Sequence, residues 1–251
     1  MVESRLRKRL RSLKLCSYSE YCDFLFSDRG MEEELKFFID VITTHKTDFF
    51  REPDHFEYLV QKVVPELIAK KGPGLGRRLN IWSAASSNGK EAYTLAFVLD
   101  EFRQKKSDLD FDYFILGTDI STDVLEEARK AIYDHEDIEP VPIDLRKKYF
   151  LRSKDPGKNL VRVAPGVRNK VKFRQLNLMA DDYQLREPMD IIFCRNVIIY
   201  FDKKTQDDLI LRLCKHLKPG GYLFMGHSEV LHCIDMPLVS TAPAVYRKLI
   251  K

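Results

Sequence analysis

Two stretches of this sequence carry residue types whose order suits a nucleotide ligand. Ser83-Ala84-Ala85-Ser86-Ser87-Asn88-Gly89 is a run of small residues between a short apolar segment, 79–83, and an amphipathic one, 91–102. The order is strand, tight turn, helix, and small side chains let a ligand approach the backbone closely there. Further on, Asp119 closes a second apolar run, 113–118. A carboxylate at that place commonly takes the two hydroxyls of an adenosine ribose, or else caps the following helix. Combined with the small-residue turn, ribose binding is the stronger reading, so an adenosine-containing ligand is expected. The turn holds only Gly89 and is not G-x-G-x-x-G, which argues against a dinucleotide pyrophosphate site and a nicotinamide oxidoreductase. Leu217-Lys218-Pro219-Gly220-Gly221 before a further strand, and a closing hairpin around Thr241-Ala242-Pro243, favour a methyltransferase sheet by analogy of fold.

The elements that must position these residues follow from periodicity. Apolar runs at 79–83, 113–118, 189–194 and 222–225 alternate with helical patterns at 91–102, 122–132 and 203–217. Such alternation implies a mainly parallel, doubly wound sheet with helices on both faces, because parallel neighbours need crossover connections. The two short strands in 238–249 are expected to add an antiparallel edge. Ahead of the sheet, helices at 5–14, 18–26 and 31–42 make residues 1–53 an all-helical unit. A helical face continues after Pro53, and the Gly/Pro run of 71–76 ends this 54–76 connection. The sheet domain is expected over 77–251. The region of about 147–175 breaks the alternation; its Pro156-Gly157 and Pro165-Gly166 turns separate Val-rich runs at 160–163 and 171–173, read as a small inserted antiparallel sheet.

Of the 251 residues 44% are hydrophobic and 32% charged, a balance that suits folded domains and excludes a disordered chain. No apolar run approaches the roughly 20 residues of a membrane span, and no signal-peptide core follows Met1, so a soluble cytoplasmic protein is expected. Cys16, Cys22, Cys194, Cys214 and Cys233 form an odd set without a C-x-x-C pair, suggesting neither a disulfide framework nor a zinc site. The net charge of +4 hides two basic islands: residues 1–14 sum to +5 and residues 144–174 to +9, leaving −10 for the rest. That distribution implies local contact with an acidic partner more than general affinity for nucleic acid.

Longer segments resemble one family closely. Thr43-Thr44-His45-Lys46-Thr47-Asp48-Phe49-Phe50-Arg51, residues 82–93, Gly117-Thr118-Asp119-Ile120-Ser121, Phe193-Cys194-Arg195-Asn196-Val197-Ile198-Ile199-Tyr200-Phe201-Asp202 and residues 217–229 look like the successive motifs of the CheR-type chemotaxis receptor methyltransferases. The resemblance implies a Rossmann-like class I methyltransferase domain. It further implies an enzyme that esterifies glutamate side chains of methyl-accepting chemotaxis receptors with S-adenosylmethionine, releasing S-adenosylhomocysteine. By the same resemblance Glu91 holds the methionine ammonium, Asp119 the ribose, and Asn177 and Leu178 the adenine. Arg195 and Asn196 line the methionine end, Thr47 and Arg51 reach that pocket from the helical unit, and Tyr200 sits over the transferring methyl. His45 stands in the pocket where the family usually has Asn. Arg5, Arg7, Lys8, Arg9 and Arg11 lie on the helix that in this family faces the receptor's acidic methylation region. In some members the inserted sheet also binds a peptide at the receptor C-terminus. The resemblance implies a monomer, with no metal, nucleic acid or membrane insertion.

Blander readings stand beside these. Phe49 and Phe50 are expected in the core, Cys194 as a buried thiol, and His216, His227 and His232 as ordinary histidines without ligand spacing. Arg51 is a candidate to grip the substrate carboxylate, because a guanidinium holds a carboxylate in a defined plane, with a simple pairing to Glu52 or a neighbouring acid as the alternative. A cofactor-sensing or scaffolding protein that transfers nothing is the runner-up function.

Overall fold

In a computed structural model, which describes residues 2–69, 77–106, 111–155, 157–229, 231 and 236–250, the N-terminal leucines close a small core of their own. Four helices surround it: α1 (Val2–Leu13), α2 (Tyr18–Leu25), α3 (Asp28–Glu33) and α4 (Leu35–Ile42). Leu6 and Leu10 of α1, at helical spacing, pack on Tyr21 and Leu25 of α2. Ser17 and Ser27 cap α2 and α3 by accepting from the backbone N–H of Glu20 and Gly30. The single helix expected over 31–42 is interrupted only at Glu34, whose backbone stays in the right-handed helical region while its carboxylate turns inward to Arg9 and Tyr21.

From Thr43 the chain runs without regular secondary structure to Phe49, which is buried against Phe97, Tyr133 and Phe150 as expected of a core aromatic. Helix α5 (Pro53–Tyr58), a π-helical turn and α6 (Val64–Ala69) follow; the Gly/Pro junction at 71–76 lies outside the described residues.

The main sheet has seven strands. β1 (Arg77–Ala84) leads to α7 (Lys90–Lys105), β2 (Phe111–Asp119) to α8 (Thr122–Lys130). Next comes a three-stranded antiparallel sheet of β3 (Ile132–Asp134), β4 (Phe150–Arg152) and β5 (Leu160–Val163), with α9 (Ile143–Tyr149) before β4 and α10 (Pro165–Arg168) after β5. Then β6 (Val171–Gln175), β7 (Met189–Cys194), α11 (Lys203–His216), β8 (Leu217–Met225), β9 (Leu238–Ala242) and β10 (Val245–Lys248) complete the chain. The order in the large sheet is β6-β2-β1-β7-β8-β10-β9, parallel except for the terminal hairpin, which pairs antiparallel on β8. Alternate residues of the central strands face opposite ways. Ile81, Ile191 and Phe193 pack beneath α7, whereas Trp82, Ile192 and Cys194 pack on Leu209 and Leu213 of α11.

Three local expectations are corrected. Val171–Gln175 belongs to the large sheet, pairing parallel with Ile115 to Asp119, and not to the small antiparallel one. The helix after β2 stops at Lys130, because Ala131 adopts a left-handed conformation (φ 53°) and sends Ile132 into β3. β8 starts at Leu217, taking Pro219 and Gly220 into the strand across an irregular register with β7. No helix among the described residues is long and apolar enough to cross a membrane.

Candidate active site

The carboxyl ends of β1, β2 and β7 meet the segment after α4, and between them lies a cavity of about 570 Å³. Its lining contains His45, Thr47, Arg51, Glu91, Asp119, Asn177, Leu178, Arg195, Asn196 and Tyr200, so residues scattered over most of the chain share one space. This is the crevice outside the strand ends in which open α/β sheets bind their ligands.

The turn after β1 is shaped by left-handed backbone at Ala85, Ser87 and Gly89. A side chain at Gly89 would meet Ala128 Cβ and Phe173 Cζ, each at 2.9 Å, so α7 begins against α8 and β6 only because that residue is glycine. Asp119, nearly buried, accepts from the Ser87 N–H (Oδ2, 2.9 Å) and the Ser121 N–H (Oδ1, 3.1 Å). The cap of α8 is Ser121, whose Oγ accepts from the Val124 N–H, so Asp119 does not act as that helix's cap. The Ser87 hydroxyl donates to the His45 carbonyl at 2.8 Å, tying the segment after α4 to the turn. The His45 ring pairs with the Thr43 hydroxyl at 2.6 Å.

One end of the cavity is built on a buried guanidinium. Arg195, 2% exposed at its side chain, lies 3.0 Å from Glu52 Oε2 and 3.2 Å from Glu91 Oε2, and donates to the Arg51 carbonyl at 2.5 Å. Two carboxylates around one guanidinium leave a net negative charge, which suits an ammonium group. Glu91 also accepts from the Ser83 hydroxyl at 2.7 Å. Burial pushes its carboxyl above the usual range despite the pull of Arg195 and Ser83. Burial acts the same way on Glu52, but there Arg195 and Asn196 prevail and hold it below that range. The guanidinium of Arg51 donates to the Lys46 carbonyl at 3.1 Å; the alternative pairing with Glu52 is not made, because Glu52 turns to Arg195 and Asn196. At the other end, Leu176 and Leu178 are buried beside exposed Asn177, whose Oδ1 accepts from the Met179 N–H. An apolar slot beside an amide suits a flat heteroaromatic ring. Tyr200 stands at the rim, 62% exposed. Negative charge at one place, the Asp119 carboxylate on the wall and an apolar slot together fit S-adenosylmethionine.

Sequence reasoning missed several residues here. Glu52, His55 and His227 form a polar cluster behind Arg195, with ligand-capable atoms within 4.8 Å of one another. The positive partner of Glu52 in that cluster is Arg195 itself. His227 pairs with Asp54 at 3.0 Å and stacks edge-on with His55. Burial, then Arg195, pushes buried His55 down to about 4, so it is neutral at pH 7. Glu229 was also missed. Cys194 is inert, its thiol pushed well up by burial, and His216 packs against Tyr183; His232 and Cys233 lie outside the described residues.

The basic helix divides. Arg5 donates from Nη1 to the Ile42 and Thr43 carbonyls (2.8 and 2.9 Å) and from Nη2 to Thr44 Oγ1 (3.0 Å), closing the end of α4. Arg9 is bound to Glu34. Arg7, Lys8 and Arg11 are exposed.

Residues 1–43 match the family model for the all-alpha domain of CheR methyltransferase, and residues 45–242 match that for its SAM binding domain. The chain is 41% identical over 229 residues to chemotaxis protein methyltransferase 2 of Pseudomonas aeruginosa, covering 91% of this chain and 78% of that protein. Against the chemotaxis protein methyltransferase of Escherichia coli it is 38% identical over 246 residues, 98% and 82% of the two chains. The solved structure of PKMT2 from Rickettsia typhi overlays with a TM-score of 0.41 at 17% identity, over 72% of this chain and 26% of that one. With both domain models matched in order and such relatives along nearly its whole length, the chain belongs to the CheR methyltransferase family, S-adenosylmethionine-dependent methyltransferases.

Proposed function

We propose that this protein is a protein-glutamate O-methyltransferase acting in the cytoplasm, as a monomer, on the acidic methylation helices of chemotaxis receptors. The observation that supports the reading is that Arg51, Glu91, Arg195 and Tyr200, distant in sequence, line one cavity. S-adenosylmethionine supplies, when bound, a methyl group activated by its sulfonium charge.

The residues then have a limited task. A glutamate carboxylate is already ionised at neutral pH, so no side chain has to remove a proton before attack. Glu91 holds the ammonium end and Asp119 the ribose hydroxyls, while Asn177 and Leu178 take the adenine. Thr47, His45 and Asn196 complete the wall. Arg51, lacking a carboxylate partner among the described residues, orients the incoming glutamate, and Tyr200 at the rim confines the approach and excludes water. Arg51 positions the substrate rather than binding it tightly, since equal grip on ground and transition states would not speed transfer. Exposed Arg7, Lys8 and Arg11 supply the docking charge, and the small β3-β5-β4 sheet is a second surface, for a receptor C-terminal peptide.

The test is incubation of the purified chain with methyl-labelled cofactor and a receptor cytoplasmic fragment, followed by alkaline release of labelled methanol. Base-labile label on receptor glutamates is expected. Confirmed cofactor binding with no ester on any receptor fragment would overturn the reading.

A further inference from the structure

The loop that follows β7 carries Arg195, Asn196 and Tyr200 into the cavity, yet its backbone makes few bonds of its own. Asn196 sits in left-handed conformation (φ 58°), and the N–H groups of Asn196, Val197 and Ile198 point to the end of β8, away from the cavity's own partners. There they meet one carboxylate. Glu229 Oε2 accepts from Asn196 N–H (3.0 Å) and Gly226 N–H (2.6 Å), and Oε1 accepts from Val197 N–H (2.9 Å) and Ile198 N–H (3.0 Å). The residue is only 4% exposed, and no Lys or Arg pairs with it among the described residues. Four converging backbone dipoles face it, while burial, the larger influence, holds its carboxyl above the usual carboxylate range.

We infer that Glu229 is a positioning residue: its carboxylate is the template on which the Arg195–Tyr200 loop is held at the methyl-transfer end of the cavity. The consequence for catalysis rests on the methyl-transfer reading above. The chemistry requires a carboxylate, because each oxygen serves two donors. A glutamine offers one oxygen, and its NH₂ would face the other pair of N–H groups. Gly226 belongs to the same device. A Cβ there would come within 2.5 Å of Asn196 Nδ2 and 2.9 Å of Glu229 Oε2. Loop and carboxylate can approach only over a glycine.

The experiment compares Glu229→Gln and Gly226→Ala with wild type, and with Val64→Ala, a buried change in α6 that lowers stability elsewhere. Amide hydrogen exchange is read residue by residue, together with kcat at saturating cofactor and receptor. Both loop variants should speed exchange at Asn196, Val197 and Ile198 by about tenfold or more, while exchange in β5 stays unchanged. They should lower kcat by about 10- to 100-fold, the cost of a small misplacement of reacting groups. Val64→Ala should do neither, even at a matched loss of melting temperature. Unchanged exchange at those three amides in Glu229→Gln, or accelerated exchange with kcat intact, would overturn the inference. If wild type transfers no methyl but the exchange pattern holds, the functional reading fails while the loop assignment stands.

Discussion

Arg9 and Glu34 form a two-point ion pair, Nε to Oε1 at 2.8 Å and Nη2 to Oε2 at 2.6 Å, with the Glu34 carboxylate all but buried and also accepting from the Tyr21 hydroxyl at 2.9 Å. The pair joins α1 to the break between α3 and α4, and it withdraws one arginine from the basic face. Arg9→Ala would leave Glu34 buried beside a phenol alone. A loss of about 2–3 kcal/mol is expected, measurable by urea unfolding, with Arg9→Lys recovering only part because it cannot make both bonds. Wild-type stability in Arg9→Ala would mean the pair is solvated and contributes little.

Receptor docking should depend on the other basic residues. Arg7→Glu with Arg11→Glu is expected to lower receptor methylation at low salt and to flatten its salt dependence, with affinity for S-adenosylhomocysteine nearly unchanged. Arg5→Ala should behave differently, weakening cofactor affinity, since Arg5 closes α4 directly above residues 42–45 of the cavity wall. Calorimetric titration of S-adenosylhomocysteine into each variant separates the two classes.

Cofactor affinity should weaken on the acid side through Glu91. Its raised pKa means that it takes up a proton at a higher pH than an ordinary carboxylate, and the neutral carboxyl no longer pairs with an ammonium. The dissociation constant for S-adenosylhomocysteine is therefore expected to rise as pH falls, beginning above the pH at which an ordinary carboxylate titrates. Glu91→Gln should bind about 10- to 100-fold more weakly and remove that part of the pH dependence. A wild-type profile retained in Glu91→Gln would assign the titration to another group.

His55 should make stability pH-dependent in a defined window. Its pKa is pushed from 6.5 down to about 4, so the folded protein keeps it neutral where the unfolded chain is protonated. Its contribution is fully present above about pH 6.5 and is lost as pH falls toward about 4. The groups around it are Glu52, Asp54, Arg195 and His227, and the last two disfavour its protonation. His55→Gln is expected to give a shallower fall in melting temperature over that interval; a parallel curve would show that His55 titrates as in the unfolded chain.

The central strands were legible because parallel strands buried on both faces read as short apolar runs: β1, β2 and β7 lie where those runs predicted. The turn after β1, Asp119 and the terminal hairpin were equally local features. Val171–Gln175 was misread because a Val-rich run after a Pro-Gly turn looks alike in either sheet; its place is decided by pairing with Ile115 to Asp119. The helix over 31–42 is present as two helices that meet at Glu34, whose carboxylate is engaged by Arg9 and Tyr21.

Residue order alone therefore determined the alternation of strands and helices, the small-residue turn, the carboxylate that ends β2 and the family motifs, all of which reside in contiguous segments. Tertiary structure alone decided which charges are spent inside the protein. Arg195 meets Glu91 across 104 positions, Asn196 meets Glu229 across 33, and Arg5 meets Thr43 across 38. Nothing local distinguishes Arg5 or Arg9 from Arg7 or Arg11, because a buried charge is selected by the partner that folding brings to it.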